Sequence, residues 1–226
     1  MHSERYSPLI KKRYRATLAE HGTHLAKKWP MACGGAANAF LALVGPSMGG
    51  ARPGEAVEPG GANRPHRWPM EIGSDVQTFD WGDHRVTRWN RLCAAMLGEE
   101  RYVPALTALL NLDWRHSTSE SAIPHDHLET GFTRYVWPLL QLLQPRIICP
   151  LTNRVWDIIA PRLDSLRVPF PSCPTVLPRQ PITFRLPGCD FVTMLVKPHN
   201  HPSRALSYDQ ISQVGEACTW FLNQPA

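Results

Sequence analysis

Short apolar runs alternate along this chain with segments whose hydrophobic residues recur every three or four positions. Ala39 to Val44 (AFLALV) is an uninterrupted apolar run ending at Gly45, the signature of a strand buried on both faces. Leu106 to Leu110 is a second such run, stopped by Asn111, and Ile147 to Cys149 a third, after Pro145. A short strand is expected beside Arg185, and Phe191 to Val196 (FVTMLV) forms a stronger one that ends at Lys197-Pro198. Helical spacing marks Trp81 to Leu97, where Val86, Trp89, Leu92, Cys93 and Met96 share a face. It also marks Glu129 to Leu143, Asn153 to Leu163 and Tyr208 to Leu222, and, as an N-terminal helical extension within residues 1–30, Pro8 to Trp29.

Strands alternating with helices predict an α/β fold, a three-layer α/β/α sandwich around a short, mainly parallel sheet, in one domain spanning 1–226. In such folds ligands gather where strands end. Three apolar runs end in polar groups: Gly45-Pro46-Ser47, Asn111-Leu112-Asp113 and Lys197-Pro198-His199-Asn200-His201. Residues 45–75 are so rich in glycine and proline that no ordinary helix survives there, and a loop of that length is a prime site candidate.

Composition narrows the class. With 43% hydrophobic residues the chain is not expected to be disordered, and no stretch approaches the ~20 uninterrupted apolar residues that cross a bilayer. The N-terminal residues lack the apolar core of a secretory signal, so a cytoplasmic protein without a membrane partner is expected. Six cysteines stand far apart with no C-x-x-C pair, which favours reduced, buried thiols over a disulfide framework or a zinc ribbon. His125-Asp126-His127, near His116, has ligand spacing but no cysteine close by; no metal is expected, and Asp126 reads instead as a helix N-cap with Glu129 three residues on. The net charge is +5, compatible with a polyanionic partner.

The most specific string is His201-Pro202-Ser203-Arg204-Ala205-Leu206-Ser207, after a strand and before the last helix. Together with Leu43-Val44-Gly45 and Leu109-Leu110-Asn111 at two other strand ends, it resembles the uracil-DNA glycosylase superfamily, from about Phe40 to the C-terminal helix. The resemblance implies a four-stranded parallel sheet between helices and a monomer that hydrolyses the N-glycosidic bond of a flipped pyrimidine in DNA, with no cofactor. It places His201 at the oxygen of the leaving base and Asn111 on the base's hydrogen-bonding edge. It also implies that Gly45 belongs to the base-binding residues and that Ser203 with Arg204 lie against the DNA backbone. Trp68, in the first loop, is a candidate stacking platform whose alternative is the core. Asn111 likewise has a plain alternative, capping a turn through its own backbone.

The first loop departs from the family pattern. An acidic or amide residue usually stands two positions after its first glycine; here that residue is Ser47, a poor general base, so Glu55 or Asp113 is expected to carry the acidic role. The departure makes a modified cytosine as serious a substrate as uracil, in repair or in defence against phage DNA. Arg52, Arg64 and Arg67 in the loop, Arg115 after Asn111, and Lys197 and Arg204 around the histidines are expected to form a phosphate-binding rim. Two further readings compete: a non-catalytic reader of modified DNA, and a serine hydrolase, because Gly45-Pro46-Ser47-Met48-Gly49 satisfies G-x-S-x-G. That elbow needs a helix directly after the strand, which Gly50, Pro53 and Gly54 oppose.

Overall fold

A computed structural model describes residues 33–35, 39–46, 88–98, 106–112, 119–202 and 206–224. The N-terminal helix expected over Pro8 to Trp29 and nearly all of the glycine- and proline-rich loop lie outside these residues.

Among the described residues six strands form one mixed sheet: β1 (Cys33–Gly35), β2 (Leu41–Gly45), β3 (Thr107–Asn111), β4 (Ile147–Pro150), β5 (Ile182–Phe184) and β6 (Thr193–Leu195), in the order β1-β3-β2-β4-β6-β5. This corrects the four-stranded expectation. The inner strands β3, β2, β4 and β6 are parallel, and β1 and β5 add antiparallel edges that no long apolar run announces. Each edge strand has only three residues, too short for hydrophobic alternation to read clearly. β6 is also shorter than the apolar run FVTMLV that contains it.

Helices cover both faces of the sheet, as the doubly apolar strands require. On one face α1 (Arg88–Leu97) and α5 (Tyr208–Leu222) pack on Leu41, Leu43, Ile147, Cys149 and Met194. On the other, α2 (His125–Gly131), α3 (Trp137–Leu143) and α4 (Asn153–Ile159) pack on Ala42, Val44, Leu110 and Ile148. The alternation of β2 is therefore between two cores, not between core and solvent.

Helix ends follow local chemistry. Thr152 caps α4, its hydroxyl accepting from Val155 N at 3.3 Å. Ser207 and Gln210 form a reciprocal capping box at the start of α5. The expected cap at Asp126 is corrected: α2 starts at His125 after Pro124, and Asp126 lies in its first turn, where its charge still favours the helix dipole. Between α2 and α3 the chain makes a π turn over Phe132–Val136, with Trp137 N–H donating to Phe132 O. Pro138 explains it, because its ring displaces the carbonyl four residues back and it has no N–H to donate. α4 passes directly into a 3-10 segment, Ala160–Leu166, where Pro161 likewise cannot continue an α-helix ladder.

One glycine fixes how α2 meets the sheet. A Cβ at Gly131 would collide with the backbone carbonyl of Leu112, just beyond β3, so only glycine allows this approach. Gly131→Ala is expected to destabilise the protein by about 3 kcal/mol as helix and strand exit are forced apart. Denaturant unfolding of the variant checks it, an unchanged midpoint being the contrary result.

Candidate functional site at the carboxyl ends of the parallel strands

The four parallel strands bring Asn111, Gly45, Pro150 and the segment after Leu195 to one rim of the sheet. β2 and β4 are neighbours, and α1, the next described helix after β2, packs on one face of the sheet whereas α4, after β4, packs on the other. Adjacent strands whose connections depart to opposite faces open a crevice beyond their carboxyl ends, where open α/β sheets bind ligands. Gly45 and Leu151 adjoin at that point, a Cβ at Gly45 standing 3.6 Å from Leu151 Cδ1.

Asn111 stands beside it. In the β2–β3 register Gly45 is directly opposite Asn111, and a Cβ at Gly45 would collide with Asn111 Oδ1. The carboxamide therefore lies across the bare backbone of Gly45, on the same face as Leu41 and Leu43. Backbone bonds hold the two strand exits together: Leu112 N–H donates to Gly45 O at 2.9 Å, and Leu151 N–H to Val44 O at 2.9 Å. Asn111 is only 8% exposed. A primary amide placed there has a donor and an acceptor to satisfy, by protein, water or a ligand.

The loop after β6 supplies the imidazoles. His201 is half-buried, directly before buried Pro202, and joins the loop that crosses to α5. His199 Nε2 is shielded from solvent with no hydrogen-bond partner among the described residues, a feature the sequence alone does not reveal. Lys197 departs from the expected solvent-facing phosphate contact. It is 3% exposed, and its Nζ curls back to donate to Pro198 O at 2.8 Å. Burial lowers the pKa of this amine, and nearby Arg179 lowers it further, against the opposing pull of Cys149, Glu120 and Asp157. The neighbouring Cys149 thiol is pushed up to about 12 by burial, so it is neutral and inert as a nucleophile.

The fold also delivers a carboxylate that spacing did not single out. Glu120 lies in the turn before α2 and accepts a hydrogen bond from Thr152 Oγ1, at the exit of β4. Arg154 fixes that turn, donating to the carbonyls of Glu120 and Ile123, the latter at 2.8 Å. The signal in the sequence is faint: a threonine after a strand reads as a helix cap, which Thr152 also is. Ser47, Glu55, Trp68, Arg52, Arg64, Arg67, Asp113, Arg115, Ser203 and Arg204 lie outside the described residues. Of the other candidates, the structure brings Asn111 and Gly45 into contact and places Lys197 and His201 on the loop leaving β6, which β4 separates from β2. His125, from the His-x-His string, lies 3.8 Å from Glu129 on the same helix face, and no cluster of three or more metal-ligating side chains occurs among the described residues.

No protein-family model matches the chain, and no curated protein is significantly similar to it. Among the described residues no helix is long and apolar enough to cross a membrane.

Lys197 yields a pH-dependent prediction. Its folded-state pKa lies below the ordinary 10.5, so between those two values the unfolded chain holds a proton that the folded chain has released. Stability contributed by this residue therefore rises with pH across that window, and the burial penalty is fully present below it. Lys197→Met is expected to stabilise the protein by about 1 kcal/mol at neutral pH, a gain that shrinks as pH approaches 10.5. Thermal melts across that range check the sign, and a gain that grows with pH would contradict it.

Proposed function

We propose that this protein is a DNA glycosylase of the uracil-DNA glycosylase type. It flips a pyrimidine, uracil or a modified cytosine, into the crevice at the strand ends and hydrolyses its bond to deoxyribose. The observation that carries this reading is the carboxamide of Asn111, nearly buried at the strand ends with its oxygen against the bare backbone of Gly45. A primary amide offers a donor and an acceptor in one plane, which matches the paired polar edge of a pyrimidine. The inner parallel strands, with the Asn after one, the glycine after its neighbour and the His-Pro-Ser loop after another, support the same reading.

Cleavage of the N-glycosidic bond leaves negative charge on the departing base and positive charge on the sugar. His201 donates to the base oxygen as that charge develops, an electrostatic contribution present mainly in the transition state. Glu120, held by Thr152 at the exit of β4, supplies the carboxylate that Ser47 does not, facing the sugar cation and orienting the attacking water. Water adds to C1′ and the base leaves with its bonding electrons, giving free base and an abasic site. Arg52, Arg67, Arg115, Ser203 and Arg204 engage the DNA backbone, consistent with the +5 charge. Action on a bulky modified base suits defence against phage DNA, and action on uracil suits repair. The protein works as a monomer in the cytoplasm.

Release of free base from oligonucleotides carrying uracil, hypoxanthine or modified cytosines tests this function. His201→Ala and Asn111→Ala are each expected to slow release roughly 100-fold or more without changing the melting temperature. A wild-type chain that leaves every substrate intact rejects the reading. Glu120→Gln is expected to slow release by about 100-fold while DNA affinity is retained, and equal rates would remove Glu120 from the mechanism.

A further inference from the structure

The helices that follow the crevice carry a second feature at the same rim. α5 starts directly after the loop leaving β6, so its first residue, Tyr208, stands at the carboxyl end of the sheet. α1 leads into β3, so its last turn lies at the opposite end and its first turn, which holds Arg91, lies at this same rim. Both helices cover the face towards which the Asn111 carboxamide lies. Tyr208 is 62% exposed, one of two large hydrophobic residues so exposed among those described. The Arg91 guanidinium sits 4.4 Å from the centre of its ring.

An aromatic ring left in solvent costs free energy, and here one of its faces is already held by a cation. Every nucleobase has a π-face, so a fixed ring backed by a guanidinium suits an unstacked base, and the guanidinium suits the phosphate beside it. Flipping one nucleotide unstacks its neighbours, which creates such bases next to the pocket. We infer that Tyr208 and Arg91 form a stacking ledge for a nucleobase flanking the flipped one, giving the protein an affinity for single-stranded DNA. The inference rests on the glycosylase reading for the identity of the strand, and its chemistry requires only an unstacked base.

The test is the affinity of the full chain for a labelled single-stranded oligodeoxynucleotide, followed by anisotropy, with melting temperatures measured in parallel. Tyr208→Leu, which keeps an apolar side chain and removes the π-face, is expected to weaken binding about tenfold at unchanged melting temperature. Tyr208→Phe is expected to bind as the wild type does. Arg91→Gln is expected to weaken binding and to reduce the salt dependence by about one counterion. Unchanged affinity in Tyr208→Leu overturns the ledge, and if the wild type still releases base the glycosylase reading stands. Lowered melting temperature with unchanged affinity also overturns it, making the pair a staple between α1 and α5. A tenfold loss of affinity in a chain that releases no base keeps the ledge and rejects the glycosylase. A wild-type chain with no affinity for single-stranded DNA overturns the ledge, and base release decides the glycosylase reading separately.

Discussion

The contact between Gly45 and Asn111 organises everything else at the strand ends. It exists because β2 and β3 are parallel and in a register that sets these two residues side by side. With any larger residue at position 45, a Cβ would take the space of the amide oxygen. Because that space is free, the oxygen of a primary amide can lie over a strand end, almost removed from water. The opposing term is desolvation of the amide, roughly 1 to 3 kcal/mol when no partner replaces water. The surrounding core must carry that cost, and β2 and β4, buried on both faces between two apolar clusters, are the elements that carry it.

The same economy recurs along the rim. The protein places a lysine where it is 3% exposed, its ammonium donating to the carbonyl of Pro198, and among the described residues it leaves a histidine nitrogen shielded without a partner. Interiors seldom keep such groups without a use, since replacing them with apolar residues is often stabilising. Two of them, Lys197 and His199, follow β6 beyond the carboxyl ends of the parallel strands, while Thr107 and Arg146, each with a shielded polar atom of the same kind, stand at the amino ends of β3 and β4. On the α2 to α4 side the rim is charged, with Glu120, Asp157 and Arg179 close enough to act on Lys197. On the α1 and α5 side it carries an amide and an aromatic ring backed by arginine. On the glycosylase reading, the charged side would face a substrate's backbone and the aromatic side its flat bases.

How much of this was legible in the sequence depended on how many residues each signal spans. β2, β3 and β4 are continuous apolar runs bounded by glycine, asparagine or proline, and their alternation with helical spacing led directly to an α/β sheet. The three-residue β1 carries no usable period, so the sheet proved wider and more mixed than expected, whereas the short strand expected beside Arg185 is β5, Ile182–Phe184. The start of α2 was misplaced because Asp126 has capping chemistry, whereas Pro124, with its fixed φ, ends the preceding turn first. Asn111 and Gly45 could be singled out one at a time as strand-end residues, but their contact is a matter of register, which no single strand encodes. Glu120 and Thr152 are 32 residues apart in sequence, and only the crossover through α2 and α3 brings them together. Lys197 looked like a surface cation because lysine almost always is one; its burial follows from the way its side chain turns back on Pro198.

The most direct measurement is the NMR signal of the Asn111 side-chain amide, recorded while the protein is titrated with DNA carrying a 2′-fluorinated pyrimidine nucleotide that resists cleavage. If this amide reads the flipped base, its two protons move downfield in proportion to the bound fraction, and Gly45→Ala, which displaces the carboxamide, abolishes the shift. An Asn111 signal that stays in place while the DNA is fully bound would contradict the account, because the crevice would then hold no base against it.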